Sequence, residues 1–221
     1  MNNAAVDLRT GKNPTHAVVW LHGLGADGHD FEPIVPELIR PHWPAIRFVF
    51  PHAPVRPVTI NGGMPMRGWY DIRGMDIASR ADEAGIRESI GLTHRWLDHL
   101  VQSGIPASHI LLAGFSQGGA VILNAMLRYR ERLAGAIALS TYLPLHDKVG
   151  AEADAANAAT PIFMAHGSAD PIVPLALGRQ SADVLIQAGY PLTWKQYQMQ
   201  HSVCAEEVAD IAAFIESRYT A

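Results

Sequence analysis

The chain has 221 residues, 48% of them apolar, which is enough for one compact domain over residues 1–221 that buries about 70% of its unfolded surface. A net charge of −4 with no basic stripe excludes nucleic acid as an expected partner, and no apolar run reaches the ~18 residues of a membrane span, so no integral membrane association is expected. The polar start lacks a signal-peptide core, and a single cysteine, Cys204, excludes an internal disulfide and fits a reducing compartment; the expected location is cytoplasmic.

Residues 17–21 form a continuous apolar run that enters the glycine-rich loop His22-Gly23-Leu24-Gly25-Ala26-Asp27-Gly28, as a buried strand does. Asp30 is placed to cap a helix over 31–40, whose first turns Pro33 and Pro36 weaken. Residues 46–50 read as a second buried strand. The stretch 51–79, with prolines at 51, 54, 57 and 65 and glycines at 62, 63, 68 and 74, is too broken for regular structure, and so long a loop in a compact domain is usually functional. From 80 to 104 a helical period runs through Ile86, Ile90, Trp96, Leu97 and Leu100 until Gly104 and Pro106 end it.

Residues 110–114 are a strand, 117 to about 130 a helix and 133–140 another buried strand. An alanine-rich polar loop over 143–160 precedes a strand at 161–165 that ends in His166-Gly167-Ser168-Ala169-Asp170. A helix over 174–188 stops at Gly189, residues 193–197 alternate like a strand nearer an edge, and 203–219 close the chain as a helix. Alternating strands and helices predict an α/β fold: a mostly parallel sheet with helices on both faces.

In such a sheet, ligands lie beyond the carboxyl ends of the strands, where three residues match a hydrolase in chain order. Ser116 lies in Gly114-Phe115-Ser116-Gln117-Gly118, a nucleophile elbow whose tight turn tolerates only small flanking residues. Asp170 sits at a strand exit, and His201 is the only one of eleven histidines that follows it. A serine hydroxyl attacks only when a neutral imidazole takes its proton, and an aspartate fixes that imidazole's tautomer. The elbow supplies one oxyanion donor, the Gln117 N–H, and the glycines of the His22-Gly23-Leu24-Gly25 loop suit it to supply a second.

Six motifs in order make the chain similar, nearly end to end, to the acyl-protein thioesterase and phospholipase/carboxylesterase family of α/β-hydrolases. They are His22-Gly23-Leu24-Gly25-Ala26-Asp27-Gly28; Phe50-Pro51-His52-Ala53-Pro54-Val55-Arg56-Pro57-Val58-Thr59; Trp69-Tyr70-Asp71-Ile72; Gly114-Phe115-Ser116-Gln117-Gly118-Gly119-Ala120; Asp170-Pro171-Ile172-Val173-Pro174; and His201-Ser202-Val203-Cys204. The resemblance implies that Leu24 gives the second oxyanion N–H, that Ile72, Met75, Leu143 and Val173 line an apolar acyl groove, and that a loop rather than a helical lid covers it. Gln200 departs from the family, which usually has a small or apolar residue before the histidine.

The expected function is a serine esterase that cleaves carboxylic or thio esters of short to medium acyl chains through an acyl-Ser116 intermediate, without metal or cofactor. Its substrates would be small esters or acylated proteins. The family's dimers leave a homodimer open. The alternatives are an acyltransferase using the same acyl-serine and a non-catalytic protein that binds an acylated ligand. Trp69 is read as pocket wall or core, His22 and His166 as structural ties, Met64 and Met66 as groove lining or gap fillers, and Cys204 as a packing residue.

Overall fold

The apolar run at 17–21 pairs on one side with that at 46–50 and on the other with that at 110–114. Strands with apolar residues at successive positions need both faces covered, and mutual pairing under helices achieves this. The computed structural model describes residues 5–74 and 82–219. In chain order, β1 (Ala5–Arg9) and β2 (His16–Leu21) lead through a 3₁₀ turn and the four-residue α1 (Val35–Leu38) to β3 (Ile46–Pro51). β4 (Val55–Val58) and β5 (Met64–Arg67) form an antiparallel hairpin, and α2 (Glu83–Gln102) carries the chain to β6 (Ile110–Phe115). There follow α3 (Gln117–Arg128), β7 (Gly135–Leu139), the four-residue α4 (Val149–Glu152) and β8 (Ile162–Gly167). The last elements are α5 (Leu175–Gln187), β9 (Leu192–Tyr197) and α6 (Ala205–Tyr219).

The seven-stranded sheet has the order β1-β3-β2-β6-β7-β8-β9, with only β1 antiparallel to its neighbour. Alternate residues of a strand point to opposite faces. Ala17, Val19, Leu21, Ile110 and Leu112 accordingly join the core that includes residues of α2, α3 and α5, whereas Val18, Trp20, Leu111 and Ala113 join the one that includes residues of α1 and α6. The chain leaves β2 for β3 on one side and later returns to place β6 on the other. The loops after β2 and β6 therefore open into one crevice.

Three elements differ from the sequence expectation. The polar start holds β1, an edge strand whose residues are only part-buried or exposed, so it carries no apolar run. Pro33 and Pro36 reduce the helix expected over 31–40 to a 3₁₀ turn and α1, since each removes a donor. The stretch expected to be irregular contains the β4–β5 hairpin. There Pro57 faces Pro65 across a two-stranded ribbon that has open edges for residues without an N–H.

One buried group sets a pH dependence of stability. Glu207, in the first turn of α6, is fully buried, and neither carboxylate oxygen has a hydrogen-bond partner among the described residues. The Cys204 amide faces it without reaching bonding geometry. Burial, partly offset by that amide and reinforced by Asp210, pushes the carboxyl up to about 8. A carboxyl raised from 4.5 on folding holds its proton more tightly in the folded chain. Its stabilising contribution is thus complete below pH 4.5 and is lost as pH climbs to about 8. The stability of Glu207→Gln relative to the parent should rise by a few kcal/mol between pH 5 and pH 9, measured by urea unfolding at each pH. A gap that stays constant with pH would show that Glu207 does not titrate in this window.

Candidate active site

The turn between β6 and α3 is dictated by backbone contact. A Cβ on Gly114 would lie 2.6 Å from the Gly118 carbonyl, and one on Gly118 would lie 2.2 Å from the Leu21 carbonyl oxygen, so neither position accepts a side chain. Between them Ser116 takes a φ of 54°, a region that side chains rarely adopt. The surroundings hold it there: the Ser116 amide donates to the Leu139 carbonyl at 2.9 Å, and the Thr141 hydroxyl donates to the Ser116 carbonyl at 2.6 Å.

The serine hydroxyl is 2.9 Å from His201 Nε2, and His201 Nδ1 is 2.7 Å from Asp170 Oδ2. The other carboxylate oxygen of Asp170 accepts the Ile172 and Val173 amides at 2.8 and 2.9 Å, in a turn just past β8. Asp170 is buried, while the His201 side chain keeps 16% exposure toward the crevice and packs on the Phe115 ring at 4.7 Å. His166 Nε2 donates to the Val173 carbonyl at 2.9 Å and so braces the same turn. Desolvation lowers its pKa, and the neutral ring carries its proton on Nε2. Gly167 packs so tightly on the Gln200 carbonyl that a Cβ would lie 2.2 Å away. That contact supports the loop carrying His201, and the Gln200 side chain itself is exposed.

Two backbone amides beside the serine, those of Leu24 and Gln117, make no hydrogen bond among the described residues. Gln117 is the first residue of α3, where N–H groups have no intrahelical acceptor and the helix dipole is positive. Its buried side chain clamps the neighbouring loop, accepting the Trp69 amide at 2.8 Å and donating to the Tyr70 carbonyl at 2.7 Å. Leu24 is oriented through His22. The Ala53 amide donates to His22 Nε2 at 3.1 Å, which puts the ring proton on Nδ1, and Nδ1 donates to the Gly23 carbonyl at 2.7 Å. The Gly23 carbonyl and the Leu24 N–H share one trans peptide plane and point opposite ways. Fixing the carbonyl on His22 therefore turns the amide away from it. Burial lowers the His22 pKa and keeps the ring neutral, as this tautomer requires.

A cavity of ≈ 320 Å³ opens beside Ser116, with Leu24, Ile60, Ile72, Ile172 and Val173 among its apolar walls. Ile72 and Val173 thus stand where the sequence places them. Leu143 instead lines a separate small cavity, because the chain after β7 turns it toward α5, and Met75 lies outside the described residues. Trp69 is core rather than wall: it is 2% exposed and its indole N–H donates to the His22 carbonyl at 2.9 Å. Tyr142 and Ile60 carry no sequence signal as wall residues, and Tyr70 enters only within the Trp69-Tyr70-Asp71-Ile72 motif, yet all three line the Ser116 cavity. Tyr142 follows a strand end, the signal that locates the triad, but no chemistry of its own marks it. Among the described residues, no group of three His, Cys, Asp or Glu side chains is placed to hold a metal ion.

A family model described as Phospholipase/Carboxylesterase matches residues 2–219. Acyl-protein thioesterase 1 of Neurospora crassa is 42% identical over 213 residues, spanning 92% of this chain and 87% of the relative. Acyl-protein thioesterase 1 of Cryptococcus neoformans is 36% identical over 218 residues, 91% of each chain. Among solved structures, Arabidopsis thaliana SOBER1 matches with a TM-score of 0.86 at 30% identity, over 92% of this chain and 98% of that one. Zea mays acyl-protein thioesterase 2 gives 0.85 at 26% identity, over 97% and 98%. These likenesses favour ester hydrolysis over acyl transfer or simple ligand binding. The chain belongs to the phospholipase/carboxylesterase family and is an α/β-hydrolase that acts on ester bonds.

Proposed function

We propose that the chain hydrolyses carboxylic and thio esters, from small acyl esters to acylated proteins, through an acyl-Ser116 intermediate. The observation that carries this reading is the unbroken hydrogen-bond chain from Ser116 through His201 to Asp170, set beside two unpaired amides. His201 Nε2 takes the hydroxyl proton as Oγ attacks the carbonyl carbon. The oxygen that becomes negative accepts the Leu24 and Gln117 N–H groups, which need no reorganisation to meet it. Collapse of the tetrahedral intermediate expels the alcohol or thiol, protonated by His201. A water molecule, deprotonated by the same nitrogen, then releases the acid and restores Ser116. Asp170 keeps the Nδ1 proton in place and stabilises the imidazolium without itself taking a proton.

The apolar walls at Ile60, Ile72, Ile172 and Val173 take the acyl chain. A cytoplasmic setting is proposed on the strength of the single cysteine in 221 residues. Among the described residues, no helix is long and apolar enough to cross a membrane.

A fluorophosphonate probe should label the parent and leave Ser116→Ala unlabelled, with ester turnover by that variant down by roughly 10⁶; comparable turnover by both would remove Ser116 from the mechanism. Asp170→Asn should lower kcat by about 10⁴ with KM little changed, because the amide favours the wrong imidazole tautomer. At His22 the position of the retained donor decides the result. The substitution His22→Asn places a side-chain N–H near the Nδ1 site and should keep most of kcat, whereas His22→Leu should lose up to ~10². Equal kcat for the two variants would show that His22 does not orient the Leu24 amide.

A further inference from the structure

The ester-hydrolysis reading leaves the accepted acyl length undefined, and two neighbouring cavities bear on it. The first, of ≈ 320 Å³, contains Ser116 and is mostly apolar. The second, of ≈ 60 Å³, is lined on its apolar side by Leu143, Pro144, Leu177 and Val184, with His146, Gln180 and Ser181 on its polar side. Among the described residues, Tyr142 is the one common to both walls.

Its backbone is held on both sides: the Leu143 amide donates to the Ser181 hydroxyl at 2.9 Å, and the preceding Thr141 is tied to the Ser116 carbonyl. Its ring is 4% exposed, and its hydroxyl meets that of Tyr70 at 2.9 Å. Tyr70 is anchored in turn, since its carbonyl accepts the Gln117 side chain at the start of α3. Burial raises the pKa of both phenols, so the pair stays protonated and neutral. Neither hydroxyl has another partner among the described residues, so the contact fixes the Tyr142 ring against Tyr70.

We infer that Tyr142, pinned by Tyr70, is the partition that ends the acyl cavity and sets the longest acyl chain the enzyme accepts. The second cavity is the space a longer chain would enter if the ring were cut back. Resting on the ester-hydrolysis reading, this names a residue that determines its substrate length. A chain short enough to stop at the ring buries every methylene, whereas further methylenes must stay in water or displace packed side chains.

The test measures kcat/KM for p-nitrophenyl esters of increasing acyl length in the parent and in Tyr142→Phe, Tyr142→Leu and Tyr142→Ala. The long-to-short ratio is taken within each protein, so that a general loss of activity cancels. The parent and Tyr142→Phe should share one optimum length, because the ring remains. Tyr142→Leu and Tyr142→Ala should shift to longer chains in that order, each newly accommodated methylene gaining roughly fourfold, the rate equivalent of one buried CH₂. The leucine variant retains much of the ring's volume and keeps the test open if alanine impairs folding. An optimum unchanged in both truncations overturns the partition while leaving ester hydrolysis standing. Absence of Ser116-dependent turnover on every ester overturns both.

Discussion

The constraint on which the site depends is the approach of α3 to the end of β2, where a single added carbon on Gly118 would sit 2.2 Å from the Leu21 oxygen. Because the helix starts so close to β2, the loop leaving β2 has to pass beside Ser116: a Cβ on Gly23 would be 3.5 Å from the Ser116 Cβ. Ser116 and the loop proposed to hold the oxyanion are thus brought together by backbone packing before any catalytic side chain is considered. The strained φ at Ser116 costs roughly 1–3 kcal/mol. Burying Val121, Ile122, Leu123, Met126 and Leu127 of α3 contributes roughly 1.5–3 kcal/mol for each, so the helix holds the strain with a wide margin.

The site owes its electrostatics mainly to peptide groups. Asp170 is its one carboxylate, and two backbone amides and His201 surround it. The donors proposed for the oxyanion are backbone N–H groups, one at a helix start and one steered by a neutral histidine. Peptide dipoles cannot titrate and are held by the fold, so they act in a partly buried site without the desolvation cost of a charged donor. His22 and His166 have matching parts in this arrangement. Each is buried and neutral, and each holds the carbonyl of a loop that carries a functional group.

The groups proposed to react are legible in the sequence because Ser116 and Asp170 follow strands whose apolar run is continuous, His201 follows the last, alternating strand, and glycine marks the places where backbone meets backbone. Ser116, Asp170 and His201 needed only strand ends, chain order and elimination. The pocket walls were far less legible. Trp69 reads from the sequence as wall or core and is held in the core by a bond to the His22 carbonyl, 47 residues away, and Gln117 joins the loop at 69–70 across a similar distance. Leu143 is apolar and follows a strand, as a wall residue should, yet its amide donates to the Ser181 hydroxyl of α5 and its side chain lines the neighbouring cavity. No local pattern encodes such contacts. β1 escaped notice for a different reason: an edge strand covered on one side needs no apolar run.

The loops around the crevice are organised by other means than the sheet. Ile60 and Ile72 face the cavity because the Ile60 amide donates to the Ile72 carbonyl at 2.9 Å while Asp71 accepts both the amide and the hydroxyl of Thr59. Asp82 in turn accepts the Asp71 amide at 3.0 Å and pairs with Arg73. Apart from the Ile60–Ile72 bond these are side-chain bonds, to backbone groups or to one another, each worth about 1 kcal/mol, and they can be exchanged without disturbing the glycine contacts at the elbow. Chemistry and selectivity are therefore written in physically separate parts of the chain. The turn between β6 and α3 admits almost no substitution, whereas the walls proposed to meet the acyl chain depend on weak, replaceable ties and can be resized around an unchanged serine.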